Sequence, residues 1–278
     1  MSTLLANRRI IINADDLGFS VGVTDGILQC HREGVLTSAT LMTTMPDRDR
    51  AIELAKSAPT LGVGIHLCLT QGTPLTKCDA ITRRGQFPRS LPKLAFRLMH
   101  AAARDQAVEE WSAQVAYAID RGLRPTHVDS HKHIHHLPAL QDAVLTVAER
   151  FGIRHVRCAR ELSPQPGWAR PALSYRILMR CASGLARKMA AKNITATDWF
   201  YGLATTGRTT ADVWRKLIAA APPGVGEVMV HPGFITDITA GDTRLLQERL
   251  DEQAALLDPT VRDAFAKGHI ELTHYGKL

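Results

Sequence analysis

The chain has 278 residues, 45% of them hydrophobic, and a net charge of +7 from 34 basic and 27 acidic residues. This length suits one large domain or two small ones with a sizeable core, and no run of 18 or more apolar residues predicts a transmembrane helix. Aromatic residues make up 5% and are not interleaved with a basic tract, so nucleic-acid binding is not expected. Five cysteines without a CxxC pair argue against a disulfide framework and favour a cytoplasmic location.

Short apolar runs alternate with longer amphipathic stretches along the chain. Candidate strands lie at Arg9–Asn13, Ala39–Thr43, Gly62–Leu69, Thr126–Ser130, His155–Arg157, Ala196–Trp199, Glu227–His231 and Ile270–Leu272. Candidate helices lie at Val21–Glu33, Arg48–Ser57, Val108–Arg121, Ala139–Phe151, Leu173–Lys192, Ala211–Ala221, Arg244–Leu257 and Val261–Lys267. This alternation predicts an α/β fold with a parallel sheet. Seven or eight units predict a TIM-barrel-like (β/α) barrel with its active site at the strand C-terminal ends; an open doubly wound sheet is the alternative.

Two stretches interrupt the alternation without dividing the chain, so residues 1–278 are expected to form a single domain. Residues 72–106 and 158–192 are therefore interpreted as insertions. Within the second, Arg176, Arg180 and Arg187 share one face of the predicted helix. That face is expected to be the solvated side of an outer barrel helix, and peripheral contact with an anionic membrane is the alternative.

Two adjacent carboxylates, Asp15 and Asp16, follow the β-branched run of the first strand. Adjacent residues on extended backbone point to opposite sides, so one carboxylate can hold a metal while the other faces a substrate. Turn and helix-cap roles are the alternative for both residues.

Five of the twelve histidines lie within residues 126–136. On a strand, Asp129, His131, His133 and His135 would share one face, and buried imidazoles need hydrogen bonds or a ligand. A solvated histidine-rich loop is the alternative. His66 and His231 each lie near the end of another apolar strand, where a lone histidine is more often a hydrogen-bonded core residue than a ligand.

The carboxyl ends of four predicted strands carry the candidate site residues. These are Asp15 and Asp16 on the first strand, and His66, His131 and His231 on three others. In a barrel these ends meet at one mouth. One carboxylate and two imidazoles make a site with open positions, which is typical of catalytic metal centres. The mixed ligands permit Zn²⁺, Mg²⁺, Mn²⁺ or Co²⁺. Asp129 or a neighbouring histidine is expected to orient His131.

These motifs resemble those of the YdjC-type carbohydrate deacetylases. The similar blocks are Asn13–Asp16, Thr37–Thr40, Gly64–Leu67, Pro125–His131, Phe200–Gly202 and Val228–Pro232. They follow the order of that family and cover most of the chain, with Leu17 in place of the family's usual phenylalanine. The resemblance implies a barrel-like fold, one divalent metal that is often magnesium, and homodimers.

The resemblance also implies hydrolysis of the acetamide of an N-acetylglucosamine-type sugar, in a chitooligosaccharide or a glycolipid, with release of acetate. Carried over by motif, Asp16, His66 and His131 are metal ligands and Asp15 is the general base. Other classes that such a metal site allows are a phosphoesterase and a sugar-binding protein without turnover.

Three further residues complete the expected site. His231 is predicted to protonate the leaving amine, since histidine transfers protons near neutral pH. Tyr201 is predicted to stack on a sugar ring or donate a hydrogen bond, with core packing as the alternative. His133 is placed with Asp129 in substrate binding or in support of the metal ligands.

Overall fold

Seven parallel strands form the centre of the computed structural model, which describes residues 7–162 and 173–278. The strands are β1 (Arg8–Leu17), β2 (Ser38–Leu41), β3 (Gly62–Leu67), β4 (Val128–Ser130), β5 (Trp199–Tyr201), β6 (Gly224–Val230) and β7 (Glu271–Thr273). Their spatial order is β4-β3-β2-β1-β6-β5, and β7 pairs with β1. Since every pairing is parallel, the carboxyl ends of the strands meet at one edge of the sheet.

Strand β1 is central because its β-branched residues are buried on both faces, as parallel strands between helices require. Ile10, Ile11 and Ile12 have no exposed surface. One edge of β1 pairs with β6 from Arg8 to Ala14, and its other edge pairs first with β7 and then with β2.

Helices follow most of the strands. They are α1 (Val21–Glu33), α2 (Arg48–Lys56), α3 (Leu91–Arg97), α4 (Ala101–Asp120), α5 (Pro138–Arg150), α6 (Leu173–Ala190), α7 (Ala211–Ala220), α8 (Gln247–Leu257) and α9 (Pro259–Lys267). Ser20 begins α1 by accepting a hydrogen bond from the backbone N–H of Val23, as an N-cap does. In the part of the chain that the structure describes, no helix is long and apolar enough to cross a membrane.

The segment after α5 links the two outer strands of the sheet. Val156 bridges in parallel to Val128 of β4, and Glu161 bridges to Phe200 of β5. The predicted strand His155–Arg157 is therefore wrong as a regular strand, because only isolated bridges form there. A tight turn from Arg160 N–H to Cys158 C=O separates the bridge to β4 from the bridge to β5. The parallel sheet and the helices between its strands confirm the predicted barrel-like α/β fold.

The structure describes the whole of the first predicted insertion but only part of the second. The first contains α3, and α4 begins at Ala101, earlier than the predicted Val108. Glu110 anchors its loop by accepting hydrogen bonds from the backbone N–H groups of Leu75 and Thr76. The proline-rich part of the second insertion, residues 163–172, lies outside the described residues, and α6 follows it.

Candidate active site

A bulge at the end of β1 brings both acidic side chains to the same place. The register between β1 and β2 shifts between Ala14 and Leu17, and Asp16 has a φ of 72°, a left-handed conformation that aspartate tolerates better than most residues. Asp15 Oδ2 and Asp16 Oδ1 consequently lie 4.0 and 3.6 Å from the same atom, His66 Nε2. The expectation that the two carboxylates point to opposite sides is wrong, because it assumed regular extended backbone.

His66 is oriented by the neighbouring strand. It is the register partner of Asp129, and its Nδ1 lies 2.7 Å from Asp129 Oδ1, so Nε2 is left to face the two carboxylates. Burial opposes a charge on His66, but Asp129 and Asp15 raise its pKa to about 9. Asp129 therefore orients His66, and the expectation that it orients His131 is wrong because strand register pairs it with β3.

His131 comes directly after β4, at the start of a short 3₁₀ segment. Lys132 and His133 adopt left-handed backbone there, with φ of 56° and 54°. His131 Nδ1 lies 3.3 Å from Asp16 Oδ1. Burial lowers the pKa of His131, so its ring is neutral near pH 7 and has a lone pair to offer a metal.

One ligand atom from each of Asp16, His66 and His131 lies within 4.8 Å of the others. Asp16 Oδ1 is buried and has no hydrogen-bond partner among the residues that the structure describes. A buried carboxylate oxygen without a partner is costly, and a cation bound between it and the two imidazoles would remove that cost. The residues present therefore fit a divalent metal, whose binding would displace the proton that the raised pKa keeps on the ring of His66.

Asp15 sits against a fully buried arginine. Arg157 donates from Nη1 to Asp15 Oδ2 at 2.8 Å and from Nη2 to Asp15 Oδ1 at 2.7 Å. Although burial alone would raise the pKa of Asp15, Arg157 holds it well below the usual range. Arg157 also contacts Asp129 at 2.5 Å and Glu227 at 2.7 Å, so one guanidinium is shared by three buried carboxylates.

Helix α8 supports the opposite side of the site. Arg249 Nη2 lies 2.5 Å from Asp16 Oδ2, and Glu252 Oε2 accepts a hydrogen bond from the backbone N–H of His231 at 2.7 Å. His231 Nε2 is 4.0 Å from Asp15 Oδ2. Burial lowers the pKa of His231 to about 4 and raises that of Glu252 to about 7.

The remaining predicted residues are buried in the protein interior. His133 is buried, its ring centroid is 6.2 Å from that of Phe200, and its Nδ1 lacks a hydrogen-bond partner among the described residues. Tyr201 is buried within the main hydrophobic core. His135 and His136 are hydrogen-bonded to the backbone, through Arg157 C=O and Ala159 N–H, so these two imidazoles are core residues.

Sequence reasoning missed four charged residues that hold this site together, namely Arg157, Glu227, Arg249 and Glu252. Glu227 lies within the apolar run of β6, and a charge in a buried strand is a usable signal because it must have a partner. Arg249 and Glu252 gave no such signal, since α8 alternates charged and apolar residues as a surface helix does.

Comparison with known proteins agrees with the motif resemblance. Residues 9–267 match the family model described as YdjC-like protein. The chain is 36% identical over 272 residues to a carbohydrate deacetylase of Geobacillus stearothermophilus, covering 96% of this chain and 97% of that protein. It is 32% identical to a carbohydrate deacetylase of Brevibacillus brevis, with 97% and 99% covered.

Among solved structures, the chain is similar to a proposed cellobiose-phosphate cleavage protein of Enterococcus faecalis. The TM-score is 0.79 and the sequence identity 25%, with 98% of this chain and 99% of that chain covered. Since the family model spans nearly the whole sequence and the relatives align over almost their full lengths, the chain belongs to the YdjC-like family.

Proposed function

We propose that the protein is a metal-dependent hydrolase that removes the N-acetyl group from an N-acetylglucosamine-type sugar and releases acetate. The observation that carries the proposal is the cluster of Asp16, His66 and His131 ligand atoms beside Asp15. This cluster lies in a chain whose relatives are named carbohydrate deacetylases.

Asp16, His66 and His131 would hold one divalent cation, with open positions left for water and substrate. When bound, it would lower the pKa of water and offset the negative charge that develops on the amide oxygen. One carboxylate with two imidazoles suits Zn²⁺ or Mg²⁺, with Mn²⁺ and Co²⁺ as alternatives.

Asp15 is the proposed general base. Because Arg157 lowers its pKa, the carboxylate stays ionised across the working pH range and can accept a proton from the attacking water. Asp15 Oδ1 accepts hydrogen bonds from Arg157 and from Asn13 Nδ2, whereas Oδ2 accepts only from Arg157. Oδ2 therefore keeps a second lone pair that can take the proton. The low pKa makes Asp15 a weak base, so it depends on a water that is itself acidified.

His231 is the proposed general acid for the leaving amine. Burial holds its pKa at about 4, so its ring is neutral at pH 7 before the reaction begins. It must therefore gain a proton during turnover before it can give one to the amine. The proton that Asp15 removes from water balances this requirement, and Asp15 Oδ2 lies 4.0 Å from His231 Nε2.

The substrate is proposed to be a chitooligosaccharide or a glycolipid-linked amino sugar. His133 and Tyr201 keep their proposed roles near the sugar, although the burial of Tyr201 in the core equally suits packing. Homodimer formation stays a prediction of the family resemblance, and the mass in solution tests it.

The test is acetate release from a panel of N-acetylated oligosaccharides and glycolipids, using protein stripped of metal and reloaded with each of the four cations. The proposal expects acetate release that depends on added metal. The matched control is Asp15→Asn, which should bind metal but release acetate far more slowly.

The same assay separates the other functional classes. Phosphate release from sugar phosphates, without acetate release from any sugar, would identify a phosphoesterase. Tight sugar binding without a product would identify a binding protein. Either result would overturn the deacetylase proposal.

A further inference from the structure

The insertion between β3 and α4 presents a surface of unusual charge. Residues 80–104, here called the basic insertion surface, contain no aspartate or glutamate. They include six basic residues, which are Arg83, Arg84, Arg89, Lys93, Arg97 and Arg104. We propose that the basic insertion surface docks the protein on an anionic lipid bilayer.

Some cations elsewhere on the protein are neutralised by ion pairs. Arg121 pairs with Asp49 at 2.8 Å and Lys188 with Asp142 at 2.7 Å. In contrast, none of the six forms an ion pair with a carboxylate within residues 7–162 and 173–278. Arg89, Arg97 and Arg104 donate to backbone carbonyls, which leaves their positive charge in place. The surface therefore keeps a net positive charge toward an external anion such as a lipid phosphate.

The same surface carries exposed apolar side chains. Phe96 is 68% exposed and Met99 is 72% exposed, whereas Leu94 and Leu98 beside them are buried. The buried pair fixes this segment to the protein, so the exposed pair projects outward. Exposed large apolar residues flanked by cations are typical of elements that lie in the headgroup region of a membrane.

A cleft of about 640 Å³ lies within this surface, between Phe96 and the basic side chains of Arg83, Lys93 and Arg97. Its lining offers cations to a headgroup phosphate and an aromatic face to the glycerol or acyl region. The cleft and the exposed apolar side chains therefore suit the same partner.

A bilayer fits this surface better than a second copy of the chain. A two-fold symmetric dimer would place the same patch against itself, so the six cations would face each other without a neutralising carboxylate. An anionic membrane instead supplies the opposite charge across the whole patch.

Docking at this surface would place the candidate active site next to the bilayer. Lys132, which follows the proposed ligand His131, donates from Nζ to the backbone C=O of Arg89 at 2.9 Å. The side chain of Arg89 donates to the C=O of Gly241, in the segment after β6. The inference goes beyond the proposed function and does not depend on it, since binding to lipid can be measured without any substrate.

The test is sedimentation of the full chain with phosphatidylcholine vesicles that do or do not contain phosphatidylglycerol. The protein should bind only the vesicles that contain phosphatidylglycerol, and high salt should release it because exposed charges are then screened. The double change Phe96→Ser with Met99→Ser should weaken binding about tenfold or more, since two apolar side chains no longer enter the interface.

The matched control is Ile177→Ser on α6, an apolar residue that is 54% exposed outside this surface. It should leave vesicle binding unchanged. Circular dichroism of each variant checks that it folds.

Three results would overturn the proposal. One is no salt-sensitive binding by the unaltered protein. Another is loss of binding in Ile177→Ser with full binding in the double variant, which would move docking to α6. The third is a stable dimer that the Phe96 and Met99 changes dissociate, which would identify the surface as a contact between copies.

Discussion

Asp15 and Asp16 are neighbours in the chain, yet the two sides of the site hold them in different ways. Both oxygens of Asp15 accept hydrogen bonds from Arg157 in the barrel interior. Asp16 is held from α8 through one oxygen only, by Arg249, and its Oδ1 has no hydrogen-bond partner among the described residues. A carboxylate oxygen that is both buried and unpartnered is suited to a cation, so Asp16 is the metal-ligand candidate and Asp15 the base.

The two arginines, Arg157 and Arg249, also differ in the number of carboxylates that they contact. Arg157 lies among Asp15, Asp129 and Glu227, so it contacts three buried carboxylates at once. Arg249 contacts Asp16 and the backbone C=O of His231. The interior side is therefore a closed ion network, whereas Asp16 Oδ1 faces only the imidazoles of His66 and His131.

The largest effect is expected from Asp16→Asn, because an amide is a weaker ligand than a carboxylate. Metal content should fall to a small fraction of one equivalent, and activity should fall about 10⁴-fold or more. Elemental analysis beside an acetate assay makes the measurement. If Asp16→Asn kept a full equivalent of metal, Asp16 would not be a metal ligand, and the roles assigned to the two carboxylates would be wrong.

His131→Ala should likewise lose metal, and His133→Ala is the matched control within the same segment. His133 lies outside the cluster of ligand atoms found among the described residues, so its removal should leave metal content intact. If His133→Ala lost the metal and His131→Ala kept it, the assignment within the histidine-rich segment would be reversed.

Asp15→Asn should lower kcat by about 10²–10⁴-fold, the usual range for loss of a general base. Its metal content should stay near that of the unaltered protein, because the proposed ligands remain. The measurement is kcat at saturating metal together with elemental analysis. Full activity in this variant would place the base elsewhere, and loss of metal would exchange the roles of Asp15 and Asp16.

A smaller effect is expected from Asp129→Asn, which weakens the group that orients His66. Metal affinity should fall by about 10–100-fold, as is usual when the partner of a ligating histidine is altered, and this is measured by titration with a metal-sensitive dye. Because Asp129 also contacts Arg157, urea unfolding of the metal-free variant serves as the control. An unchanged metal affinity would show that His66 needs no such partner.

The sequence located the ends of the strands that carry the site, because a polar residue after a buried apolar run is a strong local signal. Asp15, Asp16, His66 and His131 were found in this way, and the structure brings their side chains together. The bulge at Asp16 could not be predicted, since aspartate occurs both in regular strands and in left-handed positions.

The sequence also did not reveal the residues that support the site from distant positions along the chain. Arg157 is far from Asp15 along the chain, and the two meet only because the segment after α5 links the outer strands of the sheet and places Arg157 in the barrel interior. Arg249 gives no local signal, because a buried arginine and a solvated one look the same in an amphipathic helix. Long-range charge pairing needs the fold, whereas ligand types at strand ends need only the local pattern.

The smallest predicted effect concerns Glu252 and the pH dependence of stability. Burial raises the pKa of Glu252 from 4.5 to about 7, so the folded protein holds a proton there that the unfolded chain releases. The stability from this proton is fully present below about pH 4.5 and is lost as pH rises through about 7. Between pH 5 and pH 7 this amounts to about 2 kcal/mol of the free energy of unfolding.

The measurement is urea unfolding of metal-free protein at several pH values, for the unaltered chain and for Glu252→Gln. Histidines titrate in both proteins, so the difference between the two curves isolates Glu252. Glutamine keeps an oxygen that can accept from the backbone N–H of His231 and cannot ionise, so the variant should gain stability relative to the unaltered chain as pH rises from 5 to 7. Parallel curves would mean that Glu252 is already ionised at pH 5. Glu252 would then resemble Asp15, which ion pairing with Arg157 keeps charged, and the contrast between the two sides would be limited to Oδ1 of Asp16.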